Sequence, residues 1–257
     1  MLACQLEKTS KKVHMKVISL NIEAHKHLDK VIPFLKKEQP DVVNLQEVFK
    51  VDAPVLAQAL EKDFQFLPMT NVTSSNMHNP DPLGEIGNVQ LFPAGKATTY
   101  SRYYVGHGEK YLPIFFKDAN PNSTWRGVSW IKIVEAGVTY TLATTHFTWS
   151  PKGETTELQL EHFKALSKIL DIIGDCILTG DFNAPRGREI FTSLSTRYKD
   201  NIPTEVTTTI DGQFHKAGNL EYVVDGFFST PKYLVRNVQV VGGVSDHKAI
   251  ITEVTAQ

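Results

Sequence analysis

Short apolar runs rich in β-branched residues recur along the whole chain, and they restrict its possible folds more than any other feature. Runs of this length, bounded by polar or turn-forming residues, predict buried β-strands. Strands spread from one end of the chain to the other require sheets with large buried faces. The predicted strands are Lys16–Leu20, Val42–Gln46, Asn88–Leu91, Val128–Val134, Thr139–Thr145, Cys176–Thr179, Tyr222–Phe228 and Ile250–Val254.

Three segments between these runs carry apolar residues at helical spacing. The clearest is Glu154–Ile173, and the other two are Leu28–Lys37 and Ala53–Leu60. Gln39-Pro40 follows the segment Leu28–Lys37. Because the residue before a proline disfavours the helical conformation, we expect this helix to end there. Because helices and strands do not alternate strictly, we predict an α/β fold in which two sheets pack face to face with helices outside.

The length of 257 residues and the 41% hydrophobic content suffice for one large core, and no segment has the composition of a linker. We therefore predict a single domain over residues 15–257. Residues 1–14 are polar and carry lysines, so we expect a disordered tail there. Three long segments lack strand and helix patterns and are predicted to be loops that bind substrate, act as lids or are simply mobile: Thr70–Ile86, Gly106–Trp125 and Thr207–Leu220.

The charge balance excludes one class of binding protein. With 27 Lys and Arg against 28 Asp and Glu, the chain has no global positive field to hold a polyanion, so any contact with nucleic acid must be local. Lys152, Arg186 and Arg188 could form such a local basic rim or be ordinary surface residues. Cys4 and Cys176 are too few for a disulfide framework.

The sequence contains neither an apolar run long enough for a membrane span nor the apolar N-terminal stretch of a secretory signal. We therefore expect a cytoplasmic protein without a transmembrane segment. We also expect it to act as a monomer.

Several apolar runs end in a side chain suited to phosphate or metal chemistry. Strand ends at a shared sheet edge lie close together and can converge on one site. Each residue also has an ordinary interpretation, such as a solvated turn for Glu47 or a simple turn for Gly180–Pro185. We expect His107, His162 and His215 to be surface or loop residues. The candidate residues are Asn21, Glu23, Glu47, His146, Asp181, Asn183, Asp225, Asp246 and His247.

Taken in order, these motifs resemble the endonuclease/exonuclease/phosphatase superfamily, over about residues 16–254. The resemblance implies a four-layer α/β sandwich of two packed mixed β-sheets flanked by helices, with the site at one end of both sheets. The motifs are Ser19-Leu20-Asn21-Ile22-Glu23, Leu45-Gln46-Glu47-Val48, Thr145-His146-Phe147, Gly180-Asp181-Phe182-Asn183, Tyr222-Val223-Val224-Asp225 and Ser245-Asp246-His247.

The resemblance also implies a metal cofactor. It assigns Glu47 as the main ligand of Mg²⁺ or Mn²⁺, with Asn21 and Asp246 near the ion. Glu23 matches an acidic position that some members use through water. An oxygen-only set of ligands with retained waters is what Mg²⁺ prefers.

The remaining residues receive catalytic roles from the same resemblance. Asp181 would orient and deprotonate the attacking water, and Asn183 would hold the water or the phosphate. His247 would donate to a non-bridging oxygen while Asp225 fixes its tautomer. Arg126 would either orient the site or merely pair with a carboxylate.

His146 narrows the branch of the superfamily. Apurinic endonucleases typically carry Tyr at this point, whereas DNases, sphingomyelinases and tyrosyl-DNA phosphodiesterases carry His. The segment after Asn183 also lacks the Tyr-Arg of inositol 5-phosphatases. We therefore expect a metal-dependent phosphodiesterase of the DNase and tyrosyl-DNA phosphodiesterase branch, acting on nucleic acid. The alternatives are a sphingomyelinase-like or other hydrolase of phosphorylated substrates with this fold, phosphomonoesterases included, or a non-catalytic binding module.

Overall fold

The computed structural model describes residues 14–73, 84–106, 111–115 and 120–257. The expected N-terminal tail lies outside the described residues, except for His14. That residue is held rather than disordered, because its Nδ1 lies 2.8 Å from Oγ1 of Thr255. His107 also lies outside the described residues.

The chain order mixes strands and helices as the sequence predicts. The helices are α1 Leu28–Glu38, α2 Ala53–Leu60, α3 Glu157–Ile173 and α4 Glu189–Arg197. The strands are β1 Met15–Asn21, β2 Val42–Phe49, β3 Lys62–Val72, β4 Gly84–Pro93, β5 Ala97–Val105, β6 Ile114–Phe115, β7 Arg126–Glu135, β8 Val138–His146, β9 Ile177–Asp181, β10 Lys199–Asp200, β11 Asp225–Ser229, β12 Tyr233–Val241 and β13 Ala249–Ala256.

The strands form two mixed sheets. The seven-stranded first sheet has the order β12-β13-β1-β2-β4-β3-β6, and the six-stranded second sheet has the order β10-β11-β9-β8-β7-β5. Most neighbours are antiparallel, but three pairs run parallel: β1 with β2, β8 with β9 and β3 with β6. The strands β1, β8 and β9 end at the candidate residues Asn21, His146 and Asp181.

Helices cover the outer face of each sheet and complete the predicted four-layer α/β sandwich. Val31 and Leu35 of α1 pack with Leu56 of α2 against buried residues of β1, β2 and β4. The apolar sides of α3 and α4 join a second core, which contains strands of the second sheet and the inward-facing residues of the first sheet. Burial of these apolar faces is the main favourable contribution to the fold. No helix in the described part of the chain is long and apolar enough to cross a membrane.

Helix boundaries follow local capping chemistry. The sequence predicts α3 from Glu154, but the helix begins at Glu157 because the Thr156 side chain accepts the N–H of Gln159 at 3.2 Å. It ends at Gly174, whose φ is +72°. The end of α1 at Gln39, just before Pro40, agrees with the prediction.

Several elements differ from the sequence prediction. The edge strands β5 and β12 are missing from it because their solvent-facing residues interrupt the apolar runs. The prediction also omits β3, α4 and the two-residue strands β6 and β10. The run Tyr222–Phe228 becomes a strand only at Asp225.

The three predicted loops differ in their outcome. Thr70–Ile86 includes the ends of β3 and β4, and residues 74–83 lie outside the described ranges. Gly106–Trp125 contains β6, and its residues 107–110 and 116–119 also lie outside those ranges. Thr207–Leu220 is irregular, apart from a bridge between Ile210 and His247.

Candidate active site

Three neighbouring strands of the second sheet place one candidate side chain each in a row. His146 of β8 lies opposite Asp181 of β9, and Asp225 of β11 lies opposite Asp181 from the other side. Residues directly opposite each other on paired strands project to the same face. The strand register therefore brings together three residues that are distant in sequence.

Gly180 allows β8 and β9 to approach closely at this row. Its φ is +141°, and a β-carbon at this position would overlap the carbonyl oxygen of Thr145. Only glycine fits such a position. The Gly180-Asp181 pair therefore belongs to the end of a buried strand and not to a simple turn.

His247 joins the row from the loop before β13. Its Nδ1 lies 2.8 Å from Oδ2 of Asp225, and its Nε2 lies 3.8 Å from Oδ2 of Asp181. A carboxylate on Nδ1 fixes the orientation of an imidazole ring and leaves Nε2 for the reacting groups. All three side chains are buried.

Asn21, the last residue of β1, connects this row to the first sheet. Its Nδ2 donates to Oδ2 of Asp181 at 3.1 Å and to Oε1 of Glu47 at 3.2 Å. One amide therefore bridges two carboxylates that come from different sheets.

Glu47 lies inside a strand rather than after one. The sequence predicts a strand that ends at Gln46, but β2 continues to Phe49 with a bulge between Leu45 and Val48. At this bulge Glu47 has a φ of +57°. Bulges redirect a side chain out of the regular alternation. The Glu47 side chain is 22% exposed, compared with 3% for Asp181.

Two further carboxylates flank this group. Asp246 is buried, and its Oδ1 accepts the hydroxyl of Ser245 at 3.2 Å. The carboxylate of Glu23 pairs with Lys26 and with Nε2 of His27, the latter at 3.0 Å. Residues of its own segment therefore hold the carboxylate of Glu23 in place.

Asn183 and Arg126 hold the backbone of the site. The N–H of Asn183 donates to Oδ1 of Asp181 at 2.8 Å, and its Nδ2 donates to the carbonyl of Phe147 at 3.2 Å. The buried Arg126 guanidinium donates to the carbonyls of His146 and Pro121, both at 3.2 Å. Of the two roles considered for Arg126, these contacts favour orientation of the site.

Burial and crowded charges shift the ionisation of three residues. Burial raises the pKa of Asp181 to about 6, with His247 opposing and Asp225 and Glu47 adding to the effect. Burial likewise raises the pKa of Asp246 to about 7. For His247, burial lowers the pKa, but the carboxylates of Asp225 and Asp181 outweigh it, and the pKa lies well above its usual value. The two carboxylates therefore favour the protonated form of this imidazole.

A cavity of about 640 Å³ opens over the site. Asn21 and Asp225 lie buried beside it. The candidate residues that line it are Glu23, Glu47, Arg126, His146, Asp181, Asn183, Asp246 and His247.

The structure differs from the sequence-based expectation for the other histidines and for the basic rim. His215 lies in a loop as expected but lines the cavity, and Nδ1 of the half-buried His162 lies 2.7 Å from Oγ1 of Thr148. Arg186 pairs with Asp200 at 2.8 Å, and Arg188 pairs with Glu154 at 2.9 Å. Neither arginine lines the cavity. Of the three predicted rim cations only Lys152 lines it, and Lys26 and Lys216 do so as well.

Thr209 is a further residue of the site that the sequence patterns do not reveal. This residue is fully buried, and its hydroxyl oxygen accepts the N–H groups of Val224 and Asp225, both at 3.1 Å. It lies in the run Thr207-Thr208-Thr209, where nothing in the sequence distinguishes it from its neighbours.

The fold has close counterparts among solved structures. An endonuclease/exonuclease/phosphatase from Bacteroides vulgatus superimposes with a TM-score of 0.69 at 19% identity, covering 96% of this chain and 100% of that chain. The catalytic domain of human Nocturnin with bound sulfate gives a TM-score of 0.64 at 16% identity, covering 96% and 97%. A mannosyl-6-phosphatase from Bacteroides thetaiotaomicron gives a TM-score of 0.59 at 14% identity, covering 93% and 99%.

Sequence comparison identifies the family. No curated protein sequence gives a significant match. A profile of the Endonuclease/Exonuclease/phosphatase family, however, matches residues 18–247. This range is most of the chain and includes every candidate site residue from Asn21 to His247. The chain belongs to the Endonuclease/Exonuclease/phosphatase family.

Proposed function

We propose that the chain hydrolyses a phosphodiester in nucleic acid with Mg²⁺ or Mn²⁺ as cofactor, as DNases and tyrosyl-DNA phosphodiesterases do. One observation carries the proposal. Asp225, His247 and Asp181 stand in series at the end of one sheet, and Asn21 joins Asp181 to Glu47 of the other. Family membership supports the hydrolysis of a phosphoester, because the family includes nucleases, phosphodiesterases and phosphatases.

The residues present fit a hard divalent cation. Glu47 and Asp246 supply carboxylate oxygens, which Mg²⁺ prefers. Asn21 lies beside them, with its Nδ2 on Glu47 at 3.2 Å and its Oδ1 accepting the N–H of Glu23 at 3.1 Å. Burial is the largest cause of the raised pKa of Asp246, and the neighbouring charges of Glu47 and Glu23 raise it further. This excess of negative charge favours a cation at Glu47, Asn21 and Asp246. When bound, such an ion would neutralise charge on the phosphoryl oxygens and support the leaving oxygen.

A second set of donors lies nearby. Ligand atoms of Asp181, Asp225 and His247 all fall within 4.8 Å of one another. However, Nδ1 of His247 is already hydrogen-bonded to Asp225 at 2.8 Å. The raised pKa of His247 also favours a protonated ring, which cannot be a ligand. We therefore assign this set to proton transfer and the set around Glu47 to the metal.

Asp181 is the proposed base for the attacking water. With a pKa of about 6 it is ionised at neutral pH and more basic than an ordinary carboxylate, as a general base requires. The N–H of Asn183 holds its Oδ1, which fixes the carboxylate toward the cavity. Asn183 lines the same cavity and is placed to hold the water or the phosphate.

His247 and His146 face the phosphoryl oxygens in this proposal. The protonated His247 would donate from Nε2 to a non-bridging oxygen, with Asp225 holding the ring. Donors aimed at oxygens that gain charge in the transition state accelerate the reaction. His146 would assist from the opposite side, since its Nε2 lies 3.6 Å from Oδ2 of Asp181.

A substrate panel tests the proposal. Single- and double-stranded DNA, abasic DNA, 5′-tyrosyl DNA, RNA, sphingomyelin, inositol phosphates and mannose 6-phosphate are incubated with the chain in Mg²⁺ or in EDTA. We expect a nucleic acid to be cleaved in Mg²⁺ only. Asp181→Asn should abolish cleavage, while the same change at the exposed Asp171 should not. Preference for sphingomyelin or a phosphomonoester would contradict the substrate class, and hydrolysis of nothing in the panel would favour a binding module.

A further inference from the structure

The loop that follows His146 is fixed along its length. Gln159 Nε2 donates to the carbonyl of Thr148 at 2.8 Å. The side chain of Asn122 bonds both the N–H and the carbonyl of Trp149, each at 3.0 Å. Further on, the Tyr222 hydroxyl donates to the carbonyl of Lys152 at 3.3 Å. The backbone of this loop is therefore held from three sides.

Within this fixed loop, the indole of Trp149 is left open to solvent. Trp149 is 40% exposed, whereas Trp130 in the sheet is 7% exposed. Because the backbone is held, the ring moves only about its two side-chain torsions, and ordering it on binding costs little. Aromatic rings held in this way are good contact surfaces for flat ligands.

Trp149 lies in the cavity that contains the reacting groups. It lines the same cavity as Asp181, His247 and Lys152. It follows His146 by three residues, so their Cα atoms are at most about 11 Å apart. The backbone of Phe147, between them, bonds both Asp181 and Asn183. A phosphodiester bound at Asp181 would therefore have its neighbouring groups within reach of the indole.

We propose that the indole of Trp149 is the stacking platform for the nucleobase attached to the scissile phosphodiester. This subsite rests on the proposed function and deepens it. Any of the nucleobases can stack on an aromatic side chain, because every base presents a π-face. Lys152 on the same rim provides a cation for an adjacent phosphate.

Paired chromogenic substrates test the subsite. Thymidine 5′-(p-nitrophenyl phosphate) carries a base, and methyl p-nitrophenyl phosphate offers the same leaving group without one. Trp149→Ala should lower kcat/KM for the thymidine ester roughly 5- to 150-fold. It should change the methyl ester less than about twofold, and Trp149→Phe should restore part of the loss. Equal effects on both esters, or none on either, would overturn the proposal.

Phe64→Ala serves as the matched control. Phe64 is an aromatic residue of similar exposure, 39%, that does not line this cavity. Its removal should leave kcat/KM for both esters unchanged. If the wild-type chain hydrolyses neither ester, that result would contradict the proposed function. The stacking subsite would then be tested by a binding measurement alone.

Tryptophan fluorescence measures that binding without turnover. Thymidine 5′-monophosphate should quench the emission of the Asp181→Asn chain, and 2-deoxyribose 5-phosphate, which lacks the base, should not. Adding Trp149→Phe should remove the quench. Equal quenching by both ligands would show that the sugar or phosphate is bound at the indole, and a quench that survives Trp149→Phe would place the nucleotide elsewhere. Either result would overturn the proposal.

Discussion

The hydroxyl oxygen of Thr209 accepts the backbone N–H of Asp225 at 3.1 Å. It also accepts the N–H of Val224, while the main chain of Thr209 bonds Tyr222 on one side and Lys248 on the other. Thr209 therefore joins the segment that carries Asp225 to the segment that carries His247. Its hydroxyl therefore contributes to the position of Asp225 beside His247.

Thr209→Val should lower kcat while leaving KM nearly unchanged, because Asp225 shifts but the cavity does not. Two buried N–H groups would lose their acceptor, so the free energy of unfolding should fall by about 1–3 kcal/mol for each. Steady-state kinetics and urea unfolding measure both effects. Thr209→Ser keeps the hydroxyl and should retain most of kcat. A Thr209→Val chain with wild-type kcat would show that the hydroxyl does not position Asp225.

Asp225 and His247 should act as one unit. Asp225→Asn and His247→Ala should each lower kcat, and the double variant should be little worse than His247→Ala alone. The reason is that Asp225 acts mainly through the His247 ring, which it holds at 2.8 Å. A double-mutant cycle on a chromogenic phosphodiester measures the coupling. Additive losses would mean that the two residues serve separate steps.

Asp181→Asn should separate activity from stability. The loss of the proposed base should lower kcat by a factor of at least about 10². The melting temperature in EDTA should change little, because the relief of a buried charge offsets the weaker hydrogen bonds of an amide. Calorimetry beside the kinetic assay measures both quantities. Full activity of this variant would refute the role of Asp181.

Glu47→Gln should weaken metal binding without unfolding the chain. The amide keeps an oxygen for the contact with Asn21 but loses the charge that attracts a cation. The Mg²⁺ concentration for half-maximal activity should rise at least about tenfold, and the increase in melting temperature that Mg²⁺ gives wild type should shrink. The exposed variant Glu157→Gln is the control. An unchanged Mg²⁺ midpoint in Glu47→Gln would place the metal at other residues.

The buried strands and the residues at their ends were predictable from sequence. Asp181 and His146 each end a short run of apolar and β-branched residues, and such runs are typical of buried strands. The edge strand β5 was not predictable, because half of its residues face solvent and its pairing with β7 is set by the rest of the sheet.

The geometry of the site was harder to predict from sequence than the identity of its residues. The left-handed backbone of Glu47 arises from a bulge that forms only when β2 pairs with β4. The residues around Glu47 therefore do not predict this conformation. The same holds for Thr209, whose two contacts join segments that meet only in the folded chain. The roles carried over by resemblance stay predictions until the variants above are measured.

Polar contacts between the two sheets should matter for stability as well as for the site. Asn44 Nδ2 donates to Oγ1 of Thr179 at 2.9 Å in the buried space between the sheets. Thr179→Val would leave this donor without its acceptor, so the free energy of unfolding should fall by about 1–3 kcal/mol. The same change at the exposed Thr98 of β5 should alter it by less than about 0.5 kcal/mol.

Urea unfolding of both threonine variants gives the comparison, with the slope against urea showing whether the folded state keeps its compactness. Asn44 precedes Glu47 by three residues in β2, and Thr179 precedes Asp181 by two in β9. This contact therefore lies directly beneath the place where the two halves of the site meet. Equal stability of Thr179→Val and Thr98→Val would show that apolar packing alone fixes the sheets there, and that Asn21 is left to align Glu47 with Asp181.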